Sequence, residues 1–100
     1  MMKNISQGRL KRLLTYIPET GEFIWNMDRG AMKEGDVAGT RSSRTPHRPI
    51  FLDGKSYYAG RLAFLYMTGK MPFSRDIEFL DGDASDTRWE NMKLKAKRKK

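Results

Sequence analysis

The chain has no cysteine. That excludes disulfide staples and thiolate zinc ligands, and it fits a reducing, cytoplasmic setting. Long apolar runs are also missing. The longest, Leu62–Met67, falls far short of the roughly 20 residues a bilayer-spanning helix needs, so no membrane partner is expected. Met1–Gln7 is polar and lacks the apolar stretch of an export signal. Histidine occurs once, at His47, between two prolines. No internal repeat is visible.

Negative charge is the minor sign. Twelve acidic residues face 20 Lys and Arg, for a formal net charge of +8 over 100 residues. An excess of this size suits phosphate backbones, through Coulomb attraction and counterion release. The length argues for one domain with a modest core. The expected division is a single unit over residues 1–94, with its chemistry-bearing part at 59–94, and a basic tail at 95–100.

Leu10, Leu13, Leu14 and Ile17 recur at helical spacing, with Arg9, Lys11 and Arg12 between them. This predicts an amphipathic helix capped by Ser6 and ending before Pro18. Pro18-Glu19-Thr20-Gly21 is a turn, and Glu22–Asn26 reads as a strand rich in β-formers. From Met27 to Pro49 the periodicity fades, glycine and proline punctuate the chain, and a basic loop is expected. Asp53-Gly54 between two β-rich runs predicts a hairpin, because a type I′ turn needs positive φ at both central residues. Arg61–Thr68 predicts a second helix with Leu62, Leu65 and Tyr66 inward, Gly69 as its cap and Pro72 beyond it. Ile77–Leu80 reads as a strand, and Arg88–Leu94 as a third helix with Asp86 or Thr87 as its cap. The fold class is α+β: a leading helix and a small antiparallel sheet, then a ββα unit.

Several blocks occur in a fixed order. Tyr16-Ile17-Pro18-Glu19-Thr20-Gly21 runs into Phe23 and Trp25. Gly54-Lys55-Ser56-Tyr57-Tyr58 precedes Arg61-Leu62-Ala63-Phe64-Leu65-Tyr66. Pro72 follows, and Ile77–Asn91 closes the series. From Thr15 onward this order resembles the phage-type HNH homing endonucleases. The resemblance implies a ββα-metal unit that cleaves phosphodiesters. In that family an Asp and a closing Asn hold a divalent metal, and a His activates water. It further implies a bacterial host cytoplasm as location and double-stranded DNA, or a ribonucleoprotein, as partner.

The pattern departs where chemistry is expected. The metal-binding Asp position is Glu78, and the general-base position is Phe79. The histidine before Arg-Leu-Ala is Gly60, and the central Asn is Thr87. Only Asn91 survives among these. A benzyl ring cannot accept a proton, and losing a general base lowers a rate by about a hundred- to ten-thousand-fold. The resemblance therefore implies a degenerate member with no catalytic residue, vestigial positions at Gly60, Glu78, Phe79, Thr87 and Asn91, and no required cofactor. Should cleavage remain, Glu78 and Asn91 would hold magnesium or manganese.

The packing positions Leu62, Leu65, Tyr66, Gly69, Pro72, Ile77, Gly82, Trp89 and Met92 are kept or conservatively replaced. The expected function is thus duplex-DNA binding without efficient cleavage. Its expected phosphate contacts are Arg41, Arg44, Arg48, Arg61, Arg88, Lys93, Lys95, Lys97, Arg98, Lys99 and Lys100. Two other readings stay open: an active metal-dependent nickase, and an inhibitor of a host nucleic-acid machine such as a CRISPR surveillance complex, which would give it a protein partner. His47 is read as a solvated or phosphate-contacting loop residue. Asp81, Asp83 and Asp86 lack the distal glutamate of a calcium loop and are read as turns and caps. Trp25 and Trp89 are read as core. One of Tyr57 and Tyr58 must face outward, because side chains alternate along a strand.

Overall fold

The structure, a computed structural model, describes residues 4–30, 32–39 and 48–95. The Ser6 hydroxyl accepts the Arg9 backbone N–H at 3.1 Å and opens helix α1, Gln7–Leu13. Leu10 and Leu13 point inward from it. The helix does not run on to Ile17, as the periodicity predicted. Leu14–Ile17 is strand β1, with Leu14 and Tyr16 buried and Thr15 exposed. Thr15, Tyr16 and Ile17 are β-branched or aromatic, and pairing with strand β2, Glu22–Trp25, overrides the helical spacing. The Asn26 side-chain amide covers the helix end by donating to the Lys11 and Arg12 carbonyls at 3.2 and 3.4 Å.

Register sets Tyr16 opposite Phe23, and their rings stack at 4.8 Å. A third strand, β3, Val37–Ala38, pairs with β2 inside the stretch expected to be loop only. The Asp53-Gly54 hairpin forms as expected, joining β4, Pro49–Leu52, to β5, Lys55–Tyr58. Asp53 at φ 50° and Gly54 at φ 82° supply the two positive dihedrals its turn requires. Tyr57 is buried, and its hydroxyl accepts the Ile5 N–H at 2.9 Å, while Tyr58 faces outward.

Helix α2, Ala59–Thr68, follows β5 directly, and Gly69 closes it by donating its N–H to the Leu65 carbonyl at 2.9 Å. Ala59, Gly60, Leu62, Ala63, Phe64 and Leu65 are buried, and Tyr66 is half-buried. After a single 3₁₀ turn at Ser74–Asp76 comes strand β6, Ile77–Phe79.

The third helix expected at 88–94 is absent. Trp89–Asn91 is one 3₁₀ turn, and Met92–Leu94 is strand β7, antiparallel to β6. The reason is tertiary. The Trp89 N–H donates to the Pro18 carbonyl at 2.9 Å, and the Asn91 carbonyl accepts the Leu80 N–H at 2.8 Å. The open edge of β6 then takes Met92–Leu94 as a strand. Residues 59–94 therefore run helix, strand, strand. The described residues form an α+β fold of two helices and three antiparallel sheets, one of three strands and two of two. One core, from Ile5 to Met92, joins the helices to all three sheets.

Candidate functional site

The chemistry-bearing positions divide into three places. The first is a contact between α2 and β6. A side chain built at Gly60 would meet the Phe79 ring at 3.3 Å, Ile77 at 3.6 Å and the Met92 sulfur at 3.6 Å. The two positions where the resemblance expects histidines thus face each other, and apolar atoms fill the space between. Gly60 is buried and Phe79 half-buried. The missing side chain at 60 makes room for the ring at 79.

The second place is the loop from Asp81 to Asn91, which Asn91 braces from within. Asn91 is 5% exposed. Its Nδ2 donates to Asp81 Oδ1 at 3.0 Å and to the Asp86 carbonyl at 2.9 Å, and its Oδ1 accepts the Asp81 N–H at 3.1 Å. The aspartates act locally. Asp81 Oδ1 accepts the Asp83 N–H, and Asp83 Oδ1 accepts the Ser85 N–H and hydroxyl. These are the turn and cap roles expected for such residues. Asp86 or Thr87 was expected to cap a helix, but here Thr87 is buried and its hydroxyl donates to the Gly21 carbonyl at 2.7 Å.

Asn91→Ala should therefore lower stability by about 2 kcal/mol, because it removes three part-buried hydrogen bonds that hold the loop. Urea denaturation measures this, and an unchanged midpoint would show that the brace is dispensable. The experiment also separates a folding defect from the loss of a metal ligand.

The third place is the outer face of the β6–β7 hairpin. Glu78 is exposed and lies opposite Lys93, with its carboxylate 3.9 Å from the ammonium. Side chains alternate, so Glu78 and Phe79 project to opposite faces of the hairpin. Asn91 Oδ1 keeps a second lone pair beyond the one that accepts from Asp81. Among the described residues no cluster of three His, Cys, Asp or Glu side chains is placed around one point.

The expected cations differ in their surroundings. Arg88 is held between Asp86 at 2.8 Å and Glu90 at 3.0 Å. Its hydrogen bond holds the Asp86 carboxyl below the usual carboxylate range, and the same contact raises the guanidinium. Arg61 is steered by its Nε, which donates to the Pro72 carbonyl at 2.8 Å. Lys93 and Lys95 are exposed. Arg48 sits at φ 55°, half-buried, with its Nε shielded and lacking an acceptor among the described residues. Arg41, Arg44, His47, Lys97, Arg98, Lys99 and Lys100 lie outside the described residues.

Residues 57–100 match the family model of HNH endonucleases. That span contains α2, the β6–β7 hairpin and residues 60, 78, 79, 87 and 91, so this segment is similar to HNH endonucleases where the resemblance places their chemistry. Nothing among curated proteins or solved structures matches the chain. No helix among the described residues is long and apolar enough to cross a membrane.

Sequence reasoning missed the clamp that holds the HNH-like segment. Gly21, at φ 80°, lies against the backbone of Thr87 and Arg88, and a Cβ there would sit 2.5 Å from atoms of both. The Tyr16 hydroxyl donates to the Thr87 carbonyl. Burial pushes that phenol well above its ordinary range, so it stays a donor into the alkaline region. The Pro18–Gly21 turn was visible as a turn, but its docking partner 66 residues away was not.

Proposed function

We propose that this chain binds duplex DNA as an HNH-type domain and cleaves it poorly or not at all. One observation carries the reading: where water would have to give up its proton, the Phe79 ring packs on the core beside Gly60, in a space that Ile77 and Met92 also border. An apolar contact of this kind holds two elements together but offers no lone pair. The intact Asp81–Asn91 loop and its clamp on Gly21 support a retained scaffold. Magnesium or manganese enters only through residual cleavage, with Glu78 and Asn91 as the residues that would hold it.

Lys93 and Lys95 on the hairpin strand and just past it, Arg61 steered by Pro72, and the basic segments 41–48 and 96–100 would meet phosphates. Arg88 ranks behind them, since two carboxylates already engage its charge. Contacts to phosphates position a protein without reading bases, so binding should depend little on sequence. Even four of these cations on phosphates at once would make log K fall with log salt at a slope near −3.6, and affinity drop about a hundredfold between 50 and 200 mM. Fluorescence anisotropy on two unrelated 20-base-pair duplexes tests this. Salt-independent affinity, or a strong preference for one duplex, would count against it.

A further inference from the structure

The β2–β3 connection and β4 border an open cavity of about 350 Å³ that the site above leaves unused, lined by Trp25, Arg29, Met32, Pro49, Ile50 and Phe51 among others. That volume lies within the range of roughly 300–1,000 Å³ in which proteins hold small ligands. Three features distinguish it from a surface dimple. Trp25 lines it and is 5% exposed, and its Nε1, shielded from water, has no acceptor among the described residues. The Arg29 guanidinium lies 5.7 Å from the centre of that ring and 3.9 Å from an Asp53 carboxylate oxygen, and its side chain is 32% exposed. Phe51 is 67% exposed at the rim, the most open of the large apolar side chains among the described residues.

A partly exposed guanidinium and an exposed aromatic ring beside a cavity make complementary demands on a ligand. It should be flat, to stack on Phe51. It should carry an edge oxygen or nitrogen, to accept from Arg29. It should also sit in an anionic molecule, to be drawn to a chain of charge +8. A nucleobase on a phosphodiester strand meets all three. In a duplex both faces of each base are stacked and its pairing edge is occupied, so only an unpaired base can enter.

We propose that this cavity receives one unpaired nucleobase, its ring stacked on Phe51 and an edge acceptor toward the Arg29 guanidinium beside Trp25. The inference rests on the nucleic-acid reading above and adds a preference that phosphate contacts alone do not give. The protein would favour a distorted or single-stranded stretch beside a duplex over an unbroken duplex.

The test follows the Trp25 indole N–H resonance of the ¹⁵N-labelled full chain, assigned through backbone connectivity. Octathymidylate should shift it saturably, and a blunt 20-base-pair duplex should bind without shifting it. Phe51→Ala, at an exposed position, should keep the fold and weaken octathymidylate binding about ten- to a hundredfold. If the duplex binds with its salt dependence while the single strand leaves the resonance unmoved, the cavity assignment is wrong and the duplex reading stands. A shift equally large with the duplex, or unchanged affinity in Phe51→Ala, overturns the assignment too. If neither nucleic acid binds, both readings fall.

Discussion

Gly21→Ala lowers the melting temperature by about 12–24 °C, the shift expected in a domain of this size for a loss near 3 kcal/mol. Two terms add. At φ 80° a residue with a Cβ is strained by about 1–2 kcal/mol. The new methyl also lies 2.5 Å from the Arg88 nitrogen and the Thr87 carbonyl carbon, which are backbone atoms with no rotamer to yield. Forcing them apart resembles overpacking a core, at about 1–3 kcal/mol. It further pulls the Thr87 hydroxyl from the Gly21 carbonyl and the Trp89 N–H from Pro18. Gly54→Ala is the control. Its φ is 82°, but nothing lies within 4 Å of the added carbon, so it carries the dihedral strain alone. Calorimetry on both variants decides the matter. Equal shifts would mean that the Pro18–Gly21 turn does not hold the HNH-like segment in place.

The elements legible in the sequence are those whose cause is local. Ser6 caps α1, Asp53-Gly54 turns the second hairpin and Gly69 ends α2, each through a bond or dihedral within a few residues. The misread elements take their conformation from distant partners. Leu10, Leu13, Leu14 and Ile17 fit a helical stripe, yet Leu14 and Tyr16 pair across to Trp25 and Phe23. Val37–Ala38 is too short to announce a strand and exists because β2 offers an edge. Met92–Leu94 becomes a strand only because β6 lies beside it. The candidate site divides in the same way. That Gly60 and Phe79 stand where the resemblance expects histidines is legible in the sequence. That the two positions adjoin shows only in three dimensions, because the ring at 79 lies beside the backbone at 60. Asn91 was read as the surviving chemical residue, and its three hydrogen bonds give it a structural task that alone would explain its presence.

That double role shapes the expected outcome of reversing the substitutions. Phe79→His combined with Glu78→Asp should raise metal-dependent nicking of supercoiled plasmid by about a hundred- to ten-thousand-fold over the parent chain, the range a positioned general base supplies. An imidazole is smaller than a benzyl ring, so it fits beside Gly60 without strain. Ile77 and Met92 border the same space, and their apolar surfaces disfavour the imidazolium and keep the ring neutral near pH 7, as a base requires. Residue 79 is half-buried, which leaves an edge open to water. The Glu78→Asp change shortens that side chain by one methylene and loosens the contact Glu78 makes with Lys93 at 3.9 Å, releasing a carboxylate oxygen for magnesium or manganese. Gly60 should stay as it is in the first variant, since any Cβ there already meets the ring at 79 closely. Asn91→Ala in the same background should then abolish the gain at temperatures where urea titration still finds the variant folded. Nicking by the parent chain at a rate equal to the double variant would overturn the degenerate reading. A folded, DNA-binding double variant with no nicking would show that the scaffold no longer brings residues 78, 79 and 91 to one phosphate, and that its loss of chemistry goes deeper than the missing imidazole.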